Sequence, residues 1–167
     1  MISLSTIDKA FARRSMPAEV VEPEQYAQFD SDVEEAIWFA GKDWHDLTLT
    51  DWNEHPCAIT FFSRNAFAYY LPSVIYLSLQ NPKDCLDAAD TVIHDLDISP
   101  YLESWTYGVV HHYLGLRPEE YDLLKEWLLL ICEFPQYRGV GRSASGSGEL
   151  WVVPLTPSIS SKKKLND

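Results

Sequence analysis

TFFSRNAFAYYLPSVIYLSL, residues 60–79, is the densest apolar and aromatic stretch of the chain, and it carries a proline near its middle. Phe67, Tyr70 and Leu71, then Val74, Ile75 and Ser78, recur at three- and four-residue steps, the spacing that lines side chains along one face of a helix. Ser63 precedes the run as an N-cap, its hydroxyl placed to accept from a free amide of the first turn. Pro72 has no amide hydrogen for the Ala68 carbonyl, and its ring disfavours helical backbone at Leu71, so a kink or restart is expected there. The segment reads as a central core helix packed through Phe67, Leu71, Val74 and Ile75. Tyr69 and Tyr70 diverge, so a tyrosine hydroxyl or a bound ligand is expected to complete a polar contact beside the proline, where a pocket would be sought first.

Outward from this helix the pattern stays helical. Leu4, Ile7 and Phe11 keep one face, capped by Ser3 or Ser5, in a helix ending near Arg14. Residues 15–25, with two prolines, form a surface connection. In DSDVEEAIWFAGK, Asp30 or Ser31 caps a helix, Glu34 and Glu35 suit its positive end, Gly41 suits its exit, and Val33, Ile37 and Ala40 are expected to face the core. Trp44 and Leu47 lie one turn apart, followed by a loop ending in Pro56 and an extended run from Ala58 to Phe62. Asn81-Pro82 marks a new helix start, with Leu86, Ala89, Ile93 and Leu96 inward and Asp87, Asp90 and His94 partly opposite. Residues 99–117 fit a short helix, an extended pair or a packed loop. RPEEYDLLKEWLLLICEF carries the clearest helix signal, with Pro118 in the first turn and Tyr121, Leu124, Leu128 and Ile131 on one stripe.

The expected fold is therefore mainly α, with α+β left open by a few short strands. Residues 1–137 form one compact helical domain with a kinked central helix. Residues 138–167 form a Gly/Ser-rich linker and tail with a short strand at 149–155.

With 167 residues, 46% hydrophobic, and six Trp, nine Tyr and seven Phe, the chain has the apolar content to offset chain entropy by burial. Its formal charge of −12 repels phosphate backbones, which argues against nucleic acid as a ligand. Cys57, Cys85 and Cys132 have neither disulfide-framework nor zinc-ligand spacing, so a reducing cytoplasm is expected. The N-terminus lacks the pattern of a secretory signal, and no run reaches the roughly 20 apolar residues that span a bilayer. No membrane association is expected.

Candidate chemistry is sparse. Asp90 and His94, at i and i+4 with Asp87 on the same side, offer a carboxylate and an imidazole to a metal or a proton transfer, but no further ligand converges in sequence. His111 and His112 point in different directions, so at most one enters a given site, and a hydrogen-bonded packing role suits an aromatic loop. Nucleophile, Walker and dinucleotide signatures are absent, no catalytic residue or cofactor is indicated, and the glycine-rich run 139–148 precedes no helix that would aim amides at phosphate.

Charge distribution says more. From Glu19 to Glu54 eleven carboxylates face Lys42 alone, a net of −10. A solvated surface explains that run. A partner surface explains it as well, since Asp46 and Asp51 lie among Trp38, Trp44 and Trp52, which combines steering of a basic protein with aromatic anchors. Tyr69 and Tyr70 complete the candidate binding set.

The motif Phe62-Ser63-x-x-Ala66-Phe67-x-Tyr69-Tyr70-Leu71-Pro72 resembles that of a bacterial domain family of unknown function. Ala10-Phe11, Trp44, the Pro118-Glu119 helix start and the apolar run Trp127 to Ile131 extend the similarity over roughly residues 5–135. The resemblance implies no activity and transfers no catalytic residue. The combined expectation is a non-catalytic acidic protein that binds a protein partner, of the immunity or antitoxin kind. A structural or adaptor role and a metal-dependent enzyme using Asp90 and His94 are the alternatives, and homodimerisation stays open.

Overall fold

The computed structural model describes residues 2–23, 30–96, 111–135 and 137, and among them no strand occurs. Among the described residues seven α-helices run between defined bounds: α1 (Leu4–Phe11), α2 (Asp30–Ile37), α3 (Leu49–Glu54), α4 (Ala58–Phe61), α5 (Arg64–Gln80), α6 (Asp87–Leu96) and α7 (Pro118–Ile131), with a 3₁₀ turn at Trp44–Asp46. They pack as one compact all-helical domain around α5. The residues 97–110, the Gly/Ser-rich run and the 149–155 segment lie outside the described residues.

α5 forms because its apolar residues leave no polar face; from Ala66 to Ile75 every side chain is buried. Ser63 caps it, accepting from the Ala66 amide at 3.2 Å and donating to the Glu19 carbonyl at 2.9 Å. Of the kink or restart expected at Pro72, the restart does not occur: Arg64–Gln80 is one unbroken element with the proline inside. A single lost backbone bond costs about 3 kcal/mol, less than the burial that holds α5 on all sides supplies. The two serines here are buried too, and each hydroxyl donates to the carbonyl three residues back, Ser73 to Tyr70 at 2.7 Å and Ser78 to Ile75 at 3.1 Å. Their oxygens then accept indole N–H groups, Ser73 from Trp52 at 3.1 Å and Ser78 from Trp127 at 3.0 Å. Through these bonds α3 and α7 are each pinned to the central helix.

α1 buries Ile7 and Phe11 and is capped by Ser3, whose hydroxyl accepts from the Thr6 amide. Arg14, just past its end, reaches the start of α7, where its guanidinium meets both carboxylate oxygens of the fully buried Glu120 and donates to the Gly115 carbonyl at 2.7 Å. Glu120 also accepts from the Arg117 amide at 2.7 Å. One carboxylate therefore caps α7 and fastens α1.

Four other expectations are corrected. The stretch before Pro56 contains α3, started by a capping box in which Thr48 and Asp51 satisfy each other's backbone amides. Ala58 to Phe62 is not extended: α4 occupies Ala58–Phe61, and the burial of Ala58, Ile59 and Phe62 follows helical spacing. α6 starts at Asp87 instead of Pro82, because the Leu86 carbonyl accepts the first helical amides while its own amide is taken by the Tyr137 hydroxyl at 3.0 Å. In α2 the inward residues are Val33 and Ala36, continued by Phe39 past its end; Ile37 and Ala40 are exposed. The chain leaves α2 through Gly41, whose φ of 75° suits a residue without a Cβ.

Candidate functional site

Four of the seven residues proposed for binding are core. Trp44 and Trp52 are buried, the latter completely, and so are Tyr69 and Tyr70. Tyr70 donates to the Phe39 carbonyl at 2.5 Å and shares the Lys42 carbonyl at 3.2 Å, which ties α5 to the exit of α2. Burial, then the neighbouring Tyr69 and Asp43, push its hydroxyl well above the ordinary tyrosine range. Burial likewise raises Tyr69, opposed by a hydrogen bond with the Trp44 backbone. Tyr70 thus directs its hydroxyl to the exit of α2 and not to the Ala68 carbonyl beside Pro72. Pro72 itself is buried; a shallow cleft lies at the start of the same helix, lined by Pro17, Glu19, Glu22, Ser63 and Asn65.

Trp38, Asp46 and Asp51 remain nearer the surface. Asp51 is half-buried and spent on the α3 capping box, whereas Asp46 is exposed. Trp38 is half-buried, with the Lys42 ammonium 3.8 Å from its ring centre and the His55 ring 4.3 Å away. Around it stand Glu34 and Ile37, both exposed, and Glu35, whose carboxylate accepts from the Cys57 amide at 2.8 Å. The Cys57 thiol is raised by burial first and then by Glu35, Asp32 and Asp87. Asp87 of α6 thus joins the α2 carboxylates in one negative field, a convergence across fifty residues of sequence that no local pattern signals. Ile37, expected inward from its four-residue step after Val33, is exposed instead.

Asp90 and His94 do not form a site together. Asp90 instead accepts from the Cys85 thiol at 3.1 Å, and Cys85, Asp87 and Asp90 place their ligand atoms within 4.8 Å of one another, while His94 is exposed. Burial, the Asp90 hydrogen bond and both aspartates push the thiol up to about 11, so without a bound metal it is protonated at neutral pH. Burial raises Asp90, and one of its oxygens is enclosed without a hydrogen-bond partner. His112 is a packing residue: its Nε2 meets the Phe62 carbonyl at 2.8 Å and its ring stacks on Phe67. His111 faces Glu22 at 3.3 Å, so the two imidazoles do serve different neighbours.

The fold defines an all-helical domain in which carboxylates of α2 and α6 converge on Cys57 at the start of α4. Residues 5–128 match the family of unknown function DUF6714, so the chain belongs to that family. Neither the curated proteins nor the solved structures contain a significant match. No helix among the described residues is long and apolar enough to cross a membrane.

Proposed function

We propose that this is a non-catalytic acidic binding protein of a bacterial cytoplasm, of the immunity or antitoxin kind, which occludes a basic partner protein. The observation that carries this reading is the exposed face of α2. Exposed Ile37 and half-buried Trp38 adjoin exposed Glu34, with the Lys42 ammonium over the indole, while Glu35 of the same helix joins Asp32 and Asp87 in a negative field at Cys57. That arrangement supports fast, salt-dependent capture of a cationic surface followed by burial of a few anchors. Lys42, resting on Trp38, is the cation such a partner would displace or accompany.

The test is affinity purification of the tagged protein from its native cell, followed by titration of the purified partner at low and high salt. A basic protein bound stoichiometrically, at least tenfold more weakly at high salt, is expected. A Glu34→Lys/Ile37→Asp double variant should lose at least tenfold in affinity while its melting temperature stays within a few degrees. Failure to retain a basic protein, or equal retention by the variant, overturns the reading.

A further inference from the structure

His45 joins the 3₁₀ turn to α1 through a side-chain hydrogen bond. Its Nδ1 lies 2.7 Å from Asp43 Oδ1 and its Nε2 lies 2.9 Å from Asp8 Oδ1, with the imidazole stacked on Trp44 at 3.7 Å between ring centres. A neutral imidazole has one N–H, so two carboxylate contacts at these distances require the imidazolium form. The two contacts are not equivalent. Asp43 Oδ1 also accepts the His45 backbone amide at 3.0 Å as the cap of its turn, so it stays in place whatever the ring does. Nδ1 must therefore keep its proton, and deprotonation falls on Nε2, leaving a lone pair facing the Asp8 carboxylate.

We propose that His45 is a pH-operated clasp that fastens α1 to the Trp44–Asp46 turn when protonated and releases Asp8 when it loses the Nε2 proton. The groups that face it are Asp8 from α1 and Asp43 from its own turn; Tyr69 of α5, within the field of Asp43 and Asp46, is bonded to the Trp44 backbone. Burial opposes the imidazolium, and the hydrogen bonds and charges of Asp43 and Asp8 outweigh it, so the His45 pKa stands above its ordinary value while that of Asp43 is lowered. A raised imidazole pKa contributes stability that is complete below about 6.5 and is lost as pH climbs through the folded-state value. All three side chains are about half exposed, which limits the effect to a local change in how tightly α1 is held. α1 is held independently by Ile7, Phe11 and the Arg14–Glu120 pair, so release loosens the helix without unfolding the domain.

The experiment is an NMR titration of the full chain, following the imidazole nitrogens of His45 and the exchange protection of the α1 amides. His45 should titrate above 6.5 with the Nδ1–H tautomer remaining above its pKa, and protection of Ile7 to Phe11 should fall about threefold across the transition. Asp8→Asn, a surface change that leaves the fold intact, should lower the His45 pKa and abolish the pH dependence of α1 protection. A His45 pKa at or below 6.5, the Nε2–H tautomer, or α1 protection that ignores the titration overturns the clasp.

Discussion

Ser73 and Ser78 show how one residue type decides packing inside an otherwise apolar helix. Each hydroxyl gives its proton to the carbonyl three residues back and receives an indole N–H, so a polar atom buried among aromatics is fully used. Replacing Ser78 by Ala strands the Trp127 N–H in a site closed to water, which costs about 1–3 kcal/mol. Urea unfolding of Ser78→Ala should show that loss with an unchanged slope. Because the two groups act as a pair, Trp127→Phe should be less costly in the Ser78→Ala background than in the wild type, by about 1 kcal/mol. Additive losses would mean that the indole finds another partner. The periodicity of α5 was legible because it needs only the order of apolar residues. The role of its serines was not, since the tryptophans they bind lie 21 and 49 residues away.

At the scale of elements, what sequence patterns revealed depended on whether the stabilising partner was local. α1, α2, α5 and α7 carry long apolar periods or caps within a turn, and all four are present where expected. α3 has six residues, too few for a period, and its signal was Thr48 three residues before Asp51, the compact form of a capping box. Thr48→Ala should cost about 1 kcal/mol, read as a lower urea midpoint. The α1–α7 joint is a different case. Pro118-Glu119-Glu120 was legible as a helix start, but nothing local marks Glu120 as the buried anchor of Arg14, 106 residues earlier. Removing one member of a buried ion pair leaves the other uncompensated, so Glu120→Ala should cost about 3–5 kcal/mol. A loss no larger than that of Thr48→Ala would show that water reaches Arg14 and that the joint is a surface contact.

For the whole molecule, composition and charge limited the function classes without choosing among them; the acidic run was legible as a candidate surface, whereas the contribution of Asp87 at Cys57, from α6, was not. Buried His112 and half-buried Asp95 bear on how stability responds to mild acid. Burial, followed by the charges of His111 and Arg64 and opposed by the Phe62 carbonyl, lowers His112 to about 4. Burial raises Asp95 to about 6, opposed by the charge of His94 and a hydrogen bond with Tyr113. Between pH 4 and 6 the unfolded chain protonates its His112 while the folded chain does not, so this group makes stability rise with pH. Over the same interval the folded chain keeps a proton on Asp95 that the unfolded chain has released, so this group makes stability fall with pH. Each slope is limited to about 1.4 kcal/mol per pH unit, and the two oppose each other. The wild-type contribution from this pair should therefore be nearly level from pH 4 to 6. Asp95→Asn removes one arm: stability should then rise steeply with pH across the interval, and at pH 7 the variant should exceed the wild type by about 1–3 kcal/mol. His112→Gln removes the other and should leave a decline. Urea midpoints at pH 4, 5 and 6 distinguish these outcomes, and an Asp95→Asn profile parallel to the wild type would show that Asp95 is ionised in the folded protein throughout.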